Sequence, residues 1–411
     1  MTQDIVQRPG RPSFLDSPPS DGPAPPTTRE ESEAFEKIQS GWNLGLIDVK
    51  PWAQPVAPGI LGVGWVTASP AVGAVEWTQD EADDAQATWR RASHGEDGLT
   101  TANTTAQRAL IRGWNPARPL RFRVGSRPVT AFQRNVVALG PEVWSETFRI
   151  GPLADASGAT SFVVFNDTHN RVQNFPILLD AAGGGARFAV FNGDIVQNPM
   201  QASEIVENLL LPMTWFTSQS MPVLYVRGNH ETSGAYARSL KQHLCLPGNR
   251  YYGALDVGAA RLVFLDGGTG AGDDWLFSGG DYIAEQCEWL EREVASDAYR
   301  SARWRIVILH APPDWRKLGK EKMSCDRHVN RRFVPILDRF PPHAVVGGHT
   351  HCAEVLDPPP DETAGFRFPV FIGGAPDLGR ATAIRVDLDA NSLSIAILRA
   401  DGTPVARRTW E

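Results

Sequence analysis

Residues 162–169 read FVVFNDTH, four apolar residues followed directly by a polar cluster that ends in Asp167 and His169. The same arrangement recurs four more times along the chain, with helix-like stretches between the apolar runs. Buried runs of about four residues that alternate with helices indicate a layered α/β domain. Because sites in open α/β sheets form just beyond the carboxyl ends of strands, we expect the five clusters to converge. The other runs and their clusters are 188–191 with 192–194, 223–226 with 227–231, 306–309 with His310, and 345–346 with 347–351.

Seven side chains in these clusters offer ligand atoms for metal ions. They are two aspartates, one asparagine and four histidines, namely Asp167, His169, Asp194, Asn229, His310, His349 and His351. This mixed oxygen and nitrogen set suits zinc, manganese or iron. Seven ligands are too many for one tetrahedral ion. The sequence therefore predicts two divalent ions, about 3.5–4 Å apart, that share a bridging carboxylate.

The ordered motifs resemble those of the calcineurin-like metallophosphoesterase family, from about residue 159 to the end of the chain. They are DTH at 167–169, GD at 193–194, GNHE at 228–231, a lone strand-end histidine at 310 and GHTH at 348–351. The resemblance implies a four-layer α/β/β/α metallophosphoesterase sandwich. A β-sandwich placed before such a domain resembles the layout of the purple acid phosphatases, which are a branch of the family.

The resemblance also implies a role for each candidate residue. Asp194 would bridge both metals, and His230 would contact the scissile phosphate and protonate the leaving group. The first metal would be held by Asp167, His169 and His351, and the second by Asn229, His310 and His349. Beside these residues, Glu231 is expected to orient His230. Arg227 is expected either to reach a phosphate oxygen or to pair with an acidic side chain.

Two features of the motifs depart from the family. Asn166 and Asn170 flank the first motif, where the family usually has glycine. Asparagine tolerates tight-turn conformations, so we expect a modest change of backbone geometry that leaves the ligands intact. Gln197 stands three residues after the predicted bridging aspartate, where purple acid phosphatases carry a tyrosine ligand. An iron–tyrosinate centre is therefore not expected.

Composition divides the chain into three segments. The first 30 residues carry seven prolines and little apolar periodicity, so residues 1–40 are predicted to be a disordered tail and a short helix that serve as a tether. Residues 41–152 hold short strand-like runs, which are typical of an all-β immunoglobulin- or fibronectin-like sandwich. Residues 153–411 form the predicted metallophosphoesterase domain.

Two further predictions concern the sandwich. Residues 65–67 and 75–77 lie in short strand-like runs separated by a short connection that contains Pro70, and we expect them to pair as a hairpin. All seven candidate ligands lie in the following domain. We therefore expect the sandwich to be separable from that domain and to play no part in catalysis.

Composition also excludes several classes of protein. The 411-residue chain has a net charge of −7, which argues against a protein built mainly to bind nucleic acid. No apolar run approaches the roughly 18 residues of a membrane span. Four cysteines do not make a disulfide framework, although a single bridge between Cys287 and Cys325 stays open. No signal peptide is visible at the N-terminus, which favours the cytoplasm.

The motifs predict hydrolysis of a small-molecule phosphoester, either a monoester or a diester. A metal-bridging hydroxide would attack phosphorus directly, with His230 as the general acid. Loops at 267–281 and 312–323 are expected to determine specificity. In the first, Trp275 and Phe277 indicate a lid or an aromatic platform, or else a simple surface insertion. Two other functions stay open: a metal-binding but catalytically silent protein, and a scaffold whose β-sandwich recognises a protein partner.

Overall fold

The computed structural model of the chain describes residues 22–43, 45–134, 136–270, 279–360 and 366–411. Most of the predicted disordered tail therefore lies outside the described residues. The same is true of the middle of the first predicted specificity loop, including Trp275 and Phe277. Among the described residues, no helix combines the length and the apolar character that crossing a membrane requires.

The N-terminal part of the chain is mostly β-structure. Its elements are α1 (Arg29–Gln39), β1 (Ile47–Ala57), β2 (Ile60–Thr67), β3 (Ala71–Thr78), β4 (Arg90–Ser93), β5 (Gly95–Glu96), β6 (Leu99–Thr100), β7 (Ala106–Arg112), β8 (Leu120–Gln133), β9 (Val136–Leu139), β10 (Val143–Trp144) and β11 (Phe148–Ile150). One sheet has the order β1-β2-β7, and a second has the order β10-β8-β3-β4, with β9 and β11 also paired to β8. Trp65, Trp77 and Phe122 are buried in one shared cluster. The predicted all-β region is therefore present.

The predicted hairpin between residues 65–67 and 75–77 is wrong. Strand β2 pairs with β1 and β7, whereas β3 pairs with β4 and β8, so the two strands lie in different sheets. Both edges of β2 are thus occupied, and no edge remains for β3. Gln107 of β7 links the two sheets, because its side-chain amide donates a hydrogen bond to the carbonyl of Ala71 at 3.1 Å.

Two six-stranded sheets form the centre of the chain after residue 155. The elements are β12 (Thr160–Phe165), α2 (Asn174–Ala181), β13 (Phe188–Asn192), α3 (Ala202–Ile205), α4 (Leu211–Ser218), β14 (Val223–Val226), β15 (Gly253–Val257), β16 (Ala260–Leu265), α5 (Gly279–Ala295), α6 (Asp297–Ser301), β17 (Trp304–Leu309), α7 (Ser324–His328), α8 (Val334–Leu337), β18 (Ala344–Gly347), β19 (Glu354–Leu356), β20 (Val370–Ile372), β21 (Thr382–Leu388), β22 (Leu393–Arg399) and β23 (Pro404–Trp410). The first sheet has the order β14-β13-β12-β21-β22-β23, and the second has the order β15-β16-β17-β18-β20-β19.

Successive side chains of a strand point to opposite faces of its sheet, so the clusters in which they are buried identify the layers. Phe162 of β12 and Ile306 of β17 lie in one buried cluster, so the two sheets pack face to face. Phe165 faces the opposite way and packs with α2 and α4. Leu309 likewise packs with α5 and α8 on the outer face of the second sheet. The order is helices, sheet, sheet, helices, which confirms the predicted four-layer α/β/β/α sandwich.

Residues 22–28 follow a defined path, which contradicts the disorder predicted for this part of the tail, whereas the predicted short helix is present as α1. The backbone N–H of Ala24 donates to the carbonyl of Asn170 at 2.9 Å, and the side-chain amide of Gln173 donates to the carbonyl of Ala24 at 3.3 Å. Helix α1 begins with a capping box between Thr28 and Glu31. The N-terminal segment is therefore hydrogen-bonded to the residues that directly follow the first predicted metal motif in the sequence.

The sandwich is joined to the α/β layers by buried contacts. Trp52 of β1 is fully buried in the same cluster as residues of α4. The N–H of Ala53 donates to the Thr217 hydroxyl at 3.0 Å, and the N–H of Cys245 donates to the Gln54 side chain at 2.9 Å. These contacts argue against the separability that we predicted from the sequence.

We expect a chain that begins at Ala154 to be far less stable than the full chain. The deletion exposes the α4 surface that Trp52 covers, and each large apolar side chain that loses its burial costs about 1.5–3 kcal/mol. A few such losses match the roughly 5–15 kcal/mol that stabilises a typical domain. Guanidinium denaturation measures the effect, with a chain that begins at Gly22 as the control that keeps these contacts. Equal midpoints for the two shortened chains would contradict the expectation.

Candidate metal centre

The five polar clusters meet at one edge of the two sheets, around Asp194. Each cluster follows one of the strands β12, β13, β14, β17 and β18. Asp194 Oδ2 lies 2.9 Å from His310 Nε2, and 3.9 Å from the Nε2 atoms of both His169 and His230. The structure thus brings together side chains that are far apart in the sequence.

Asp167, His169 and His351 form the first group of potential ligands, with ligand atoms within 4.8 Å of one another. The Nε2 atoms of the two histidines are 3.0 Å apart, and Asp167 Oδ1 is 3.4 Å from His351 Nε2. Asp167 Oδ2 accepts the backbone N–H of His349 at 2.8 Å. This bond orients the carboxylate so that Oδ1 faces the two imidazoles.

Asp194, His310 and His349 form the second group, again within 4.8 Å. His310 Nδ1 lies 2.9 Å from the carbonyl of Asn192. Because a carbonyl only accepts, Nδ1 carries a proton and Nε2 faces the centre, so Nε2 is the atom that would bind an ion, as in most metal-binding histidines. Asn229 Oδ1 is buried and has no hydrogen-bond partner among the described residues. The amide oxygen that we predicted as a ligand is therefore free to bind an ion.

Strained backbone marks the same residues. Five of the seven predicted ligands have positive φ angles: Asp167 (55°), His169 (42°), Asp194 (53°), His349 (70°) and His351 (52°). Such angles are uncommon outside glycine and cost on the order of 1–3 kcal/mol each, and they concentrate at functional sites. Asn170 also has a positive φ of 66°, as expected of an asparagine in the place of a glycine. A Cβ on Gly348 would lie only 2.4 Å from Asp167 Oδ2, so this position requires glycine.

Charge at the centre favours a bound cation. Burial alone would lower the pKa of His310, but the carboxylates of Asp194 and Asp167 raise it to about 10. Burial lowers the pKa of His169 to about 4, so this imidazole is neutral at neutral pH and its lone pair is available. Burial would raise the pKa of Asp194, yet the neighbouring His310 holds it well below its usual range. Without an ion, His310 therefore holds a proton beside the two carboxylates, in the place where a cation would balance their charge. Anionic oxygens and imidazole nitrogens together fit a divalent transition metal.

Glu231 does not orient His230, and our prediction of that contact is wrong. The Glu231 carboxylate accepts four backbone N–H groups at 2.7–3.0 Å, those of Asp194, Ile195, Val196 and Gly228. Glu231 therefore fixes the turn after β13 that presents Asp194. His230 contacts Asn198 instead, with 3.1 Å between His230 Nδ1 and Asn198 Oδ1. We did not single out Asn198, because a lone asparagine in a loop carries no motif.

The structure decides two alternatives that the sequence left open. Arg227 pairs with an acid, because its Nε and Nη2 lie 2.9 and 2.5 Å from Asp266 Oδ2. The guanidinium also stacks on the Tyr251 ring, 4.0 Å from its centroid. Cys287 and Cys325 form no disulfide, and all four cysteines are free.

A further acidic residue at the centre escaped the sequence analysis. Cys325, Asp326 and His349 also have ligand atoms within 4.8 Å of one another. Asp326 lies in α7, follows no strand and belongs to no motif, so its sequence context contains no signal for a metal site. Only the packing of α7 against the sheet edge brings it to His349.

A cavity of about 750 Å³ opens over the first group of ligands. Its floor carries His169, His230 and His351, and Arg171 and residues 22–25 contribute to its wall. This volume lies within the usual range for small-molecule sites. The N-terminal segment therefore helps to form the entrance to the centre.

Comparison with known proteins agrees with this geometry. Residues 160–353 match the family model of the calcineurin-like phosphoesterases. The structure is similar to that of the purple acid phosphatase PPD1 isolated from yellow lupin (Lupinus luteus) seeds, with a TM-score of 0.66 and 14% identity over 88% of this chain and 74% of that chain. Identity this low shows a shared fold. Residues 160–353 belong to the calcineurin-like phosphoesterase family, and the chain is a metal-dependent phosphoesterase.

Two other comparisons add little. A conserved uncharacterized protein of Streptococcus pneumoniae TIGR4, described as a predicted phosphoesterase, aligns with a TM-score of 0.28 and 12% identity over 61% of this chain and 97% of that chain. A score this low carries no weight. No curated protein sequence matches the chain.

Proposed function

We propose that the chain hydrolyses a small-molecule phosphomonoester or phosphodiester with the help of two divalent metal ions, which are manganese, iron or zinc. Asp194 would bridge the ions. Asp167, His169 and His351 would hold one, and Asn229, His310 and His349 would hold the other. The observation that carries the proposal is the position of Asp194 Oδ2, which lies between the two groups of imidazoles.

When bound, the two ions would supply an activated water near neutral pH and neutralise charge on the phosphate oxygens. The chain's own contribution is to hold the substrate and to deliver a proton. His230 Nε2 is 3.9 Å from Asp194 Oδ2, and the His230 side chain is 30% exposed. The contact between His230 Nδ1 and Asn198 Oδ1 holds the ring in place, and Nε2 would deliver the proton to the leaving group.

The wall of the cavity supports a small and partly anionic substrate. Arg171 lines the same cavity as His169 and His230, together with residues 22–25. A guanidinium in this place would attract the phosphate, or an anionic leaving group, toward the centre. In this proposal the N-terminal segment limits the size of the leaving group.

A direct test compares metal-free and metal-loaded protein on a phosphomonoester and a phosphodiester of p-nitrophenol. We expect turnover in the loaded protein and none after chelation, with recovery when Mn²⁺, Fe²⁺ or Zn²⁺ is restored. A panel of nucleotides and sugar phosphates then defines the substrate. Protein that binds two ions and hydrolyses none of these esters would contradict the proposal and favour a silent binding protein.

A further inference from the structure

Asp326 is a carboxylate at the metal centre that has no role in the proposed mechanism. The residue is only 5% exposed, and its Oδ1 has no hydrogen-bond partner among the described residues. This oxygen lies 3.6 Å from His349 Nε2. Buried carboxylate oxygens normally accept hydrogen bonds, so an unpaired one calls for another kind of partner.

The position of Asp326 is built into the fold. The N–H of Cys325 donates to the carbonyl of Thr269 at 3.0 Å, and the N–H of Ser324 donates to that of Gly270 at 3.4 Å. These bonds tie the start of α7 to the loop that follows β16. Cys325 is itself buried in the cluster beneath the second sheet. The carboxylate is therefore held beside His349 by well-packed neighbours.

We infer that Asp326 supplies an additional oxygen ligand to the second metal ion, beside His349. This inference rests on the proposed dinuclear site. Nitrogen and oxygen ligands bind transition metals at about 2.0–2.2 Å, so neighbouring ligand atoms at angles of about 90–120° lie roughly 3.0–3.6 Å apart. The 3.6 Å between Asp326 Oδ1 and His349 Nε2 is close to this spacing. The 3.4 Å between Asp167 Oδ1 and His351 Nε2 at the first ion matches it.

Cys325 is the competing candidate, because its Sγ lies 4.0 Å from His349 Nε2. Asp326 Oδ1 lies closer, 3.6 Å from the same nitrogen atom. Asp326 Oδ1 has no hydrogen-bond partner among the described residues, whereas the Cys325 sulfur is within hydrogen-bond distance of His349. Cys325 therefore serves as a neighbouring control for the role of Asp326.

An additional carboxylate changes which metal the second site prefers. Without Asp326, the second site would combine the amide oxygen of Asn229 with two imidazoles and the shared carboxylate of Asp194, a set that suits zinc as well as manganese. Carboxylate oxygens favour harder ions such as manganese. We therefore expect Asp326 to raise the affinity of the second site for Mn²⁺ more than its affinity for Zn²⁺.

The test compares wild type, Asp326→Asn, Asp326→Ala and Cys325→Ser as full-length proteins freed of metal with a chelator. Calorimetric titrations with Mn²⁺ and with Zn²⁺ resolve the two sites, and Co²⁺ absorption reports their coordination. We expect both Asp326 variants to keep one site and to weaken the other by at least tenfold, since even outer partners of metal ligands contribute about 10–100-fold. The loss should be greater for Mn²⁺ than for Zn²⁺. Cys325→Ser should titrate like wild type.

The outcomes separate this inference from the proposed function. Unchanged Mn²⁺ and Co²⁺ titrations in both Asp326 variants, with a wild type that binds two ions, would overturn the role of Asp326 alone. Weakened binding in Cys325→Ser, with both Asp326 variants intact, would assign the ligand to the thiol instead. A wild type that binds a single ion would overturn the dinuclear site and the role of Asp326 with it. Circular dichroism and thermal midpoints confirm that each variant is folded.

Discussion

Asp194→Asn is expected to remove both metal ions and nearly all hydrolysis. Asp194 Oδ2 lies 2.9 Å from His310 Nε2 and 3.9 Å from His169 Nε2, one imidazole of each ligand group. Asp167 Oδ1 also faces both groups, but it is farther from His310 Nε2, at 3.7 Å. An amide oxygen carries no charge and bridges two cations poorly. Several kcal/mol of transition-state stabilisation depend on the ions, so turnover should fall on the order of 10³-fold or more.

Elemental analysis after gel filtration measures the metal content of this variant, and hydrolysis of an aryl phosphate measures its turnover. Asp180→Asn is the matched control, because it makes the same chemical change at an exposed carboxylate of α2. The control should keep two ions and full activity. If Asp194→Asn retains two ions per chain with normal turnover, then Asp194 is not the bridging ligand.

The layered fold and the convergence of the clusters could be predicted because both depend on short-range patterns. A four-residue apolar run such as 188–191 is long enough for a buried strand and too short for most helices. Parallel strands must end at the same edge of a sheet, so the residues after them are brought together without further information. Asp167 and His310 were therefore found as members of one site although 143 positions separate them in the numbering.

What could not be predicted depends on choices that the local sequence leaves open. The connection through Pro70 fits either a hairpin or a crossover between sheets. Strand β2 pairs with β7 on one edge and with β1 on the other, so β3 cannot pair with it and the connection crosses to the second sheet. Glu231 could turn its carboxylate toward His230 or toward the backbone. Four buried N–H groups without any other acceptor make the backbone the better partner, because unpaired buried donors cost about 1–3 kcal/mol each.

The N-terminal segment shows a limit of reasoning from composition. Proline-rich sequence lacks the apolar surface to form its own core, which is why residues 22–28 were expected to be disordered. Ala24 gains order from outside, through its hydrogen bonds to Asn170 and Gln173. Asp326 was missed for a similar reason, because only the packing of α7 brings it to the metal centre.

His230→Ala is expected to leave both ions bound and to slow hydrolysis by an amount that depends on the leaving group. His230 is outside the proposed ligand set, and its Nδ1 contacts Asn198 rather than a ligand. An alkyl phosphate has a poor leaving group that needs a proton, so its hydrolysis should fall on the order of 10²–10⁴-fold. Nitrophenolate leaves almost unaided, so a nitrophenyl ester should lose much less.

The comparison of the two esters in one variant tests whether His230 protonates the leaving group, and not only whether turnover needs His230. Because both substrates meet the same protein, any general damage to the fold or to the metals slows them equally. A larger loss on the alkyl ester can arise only where the missing group acts on the departing oxygen. Equal losses would show that His230 positions the phosphate, and loss of an ion would make His230 a ligand. Asn198→Ala should show the same leaving-group dependence in weaker form, because it removes the side chain that contacts His230 Nδ1 and holds the ring in place.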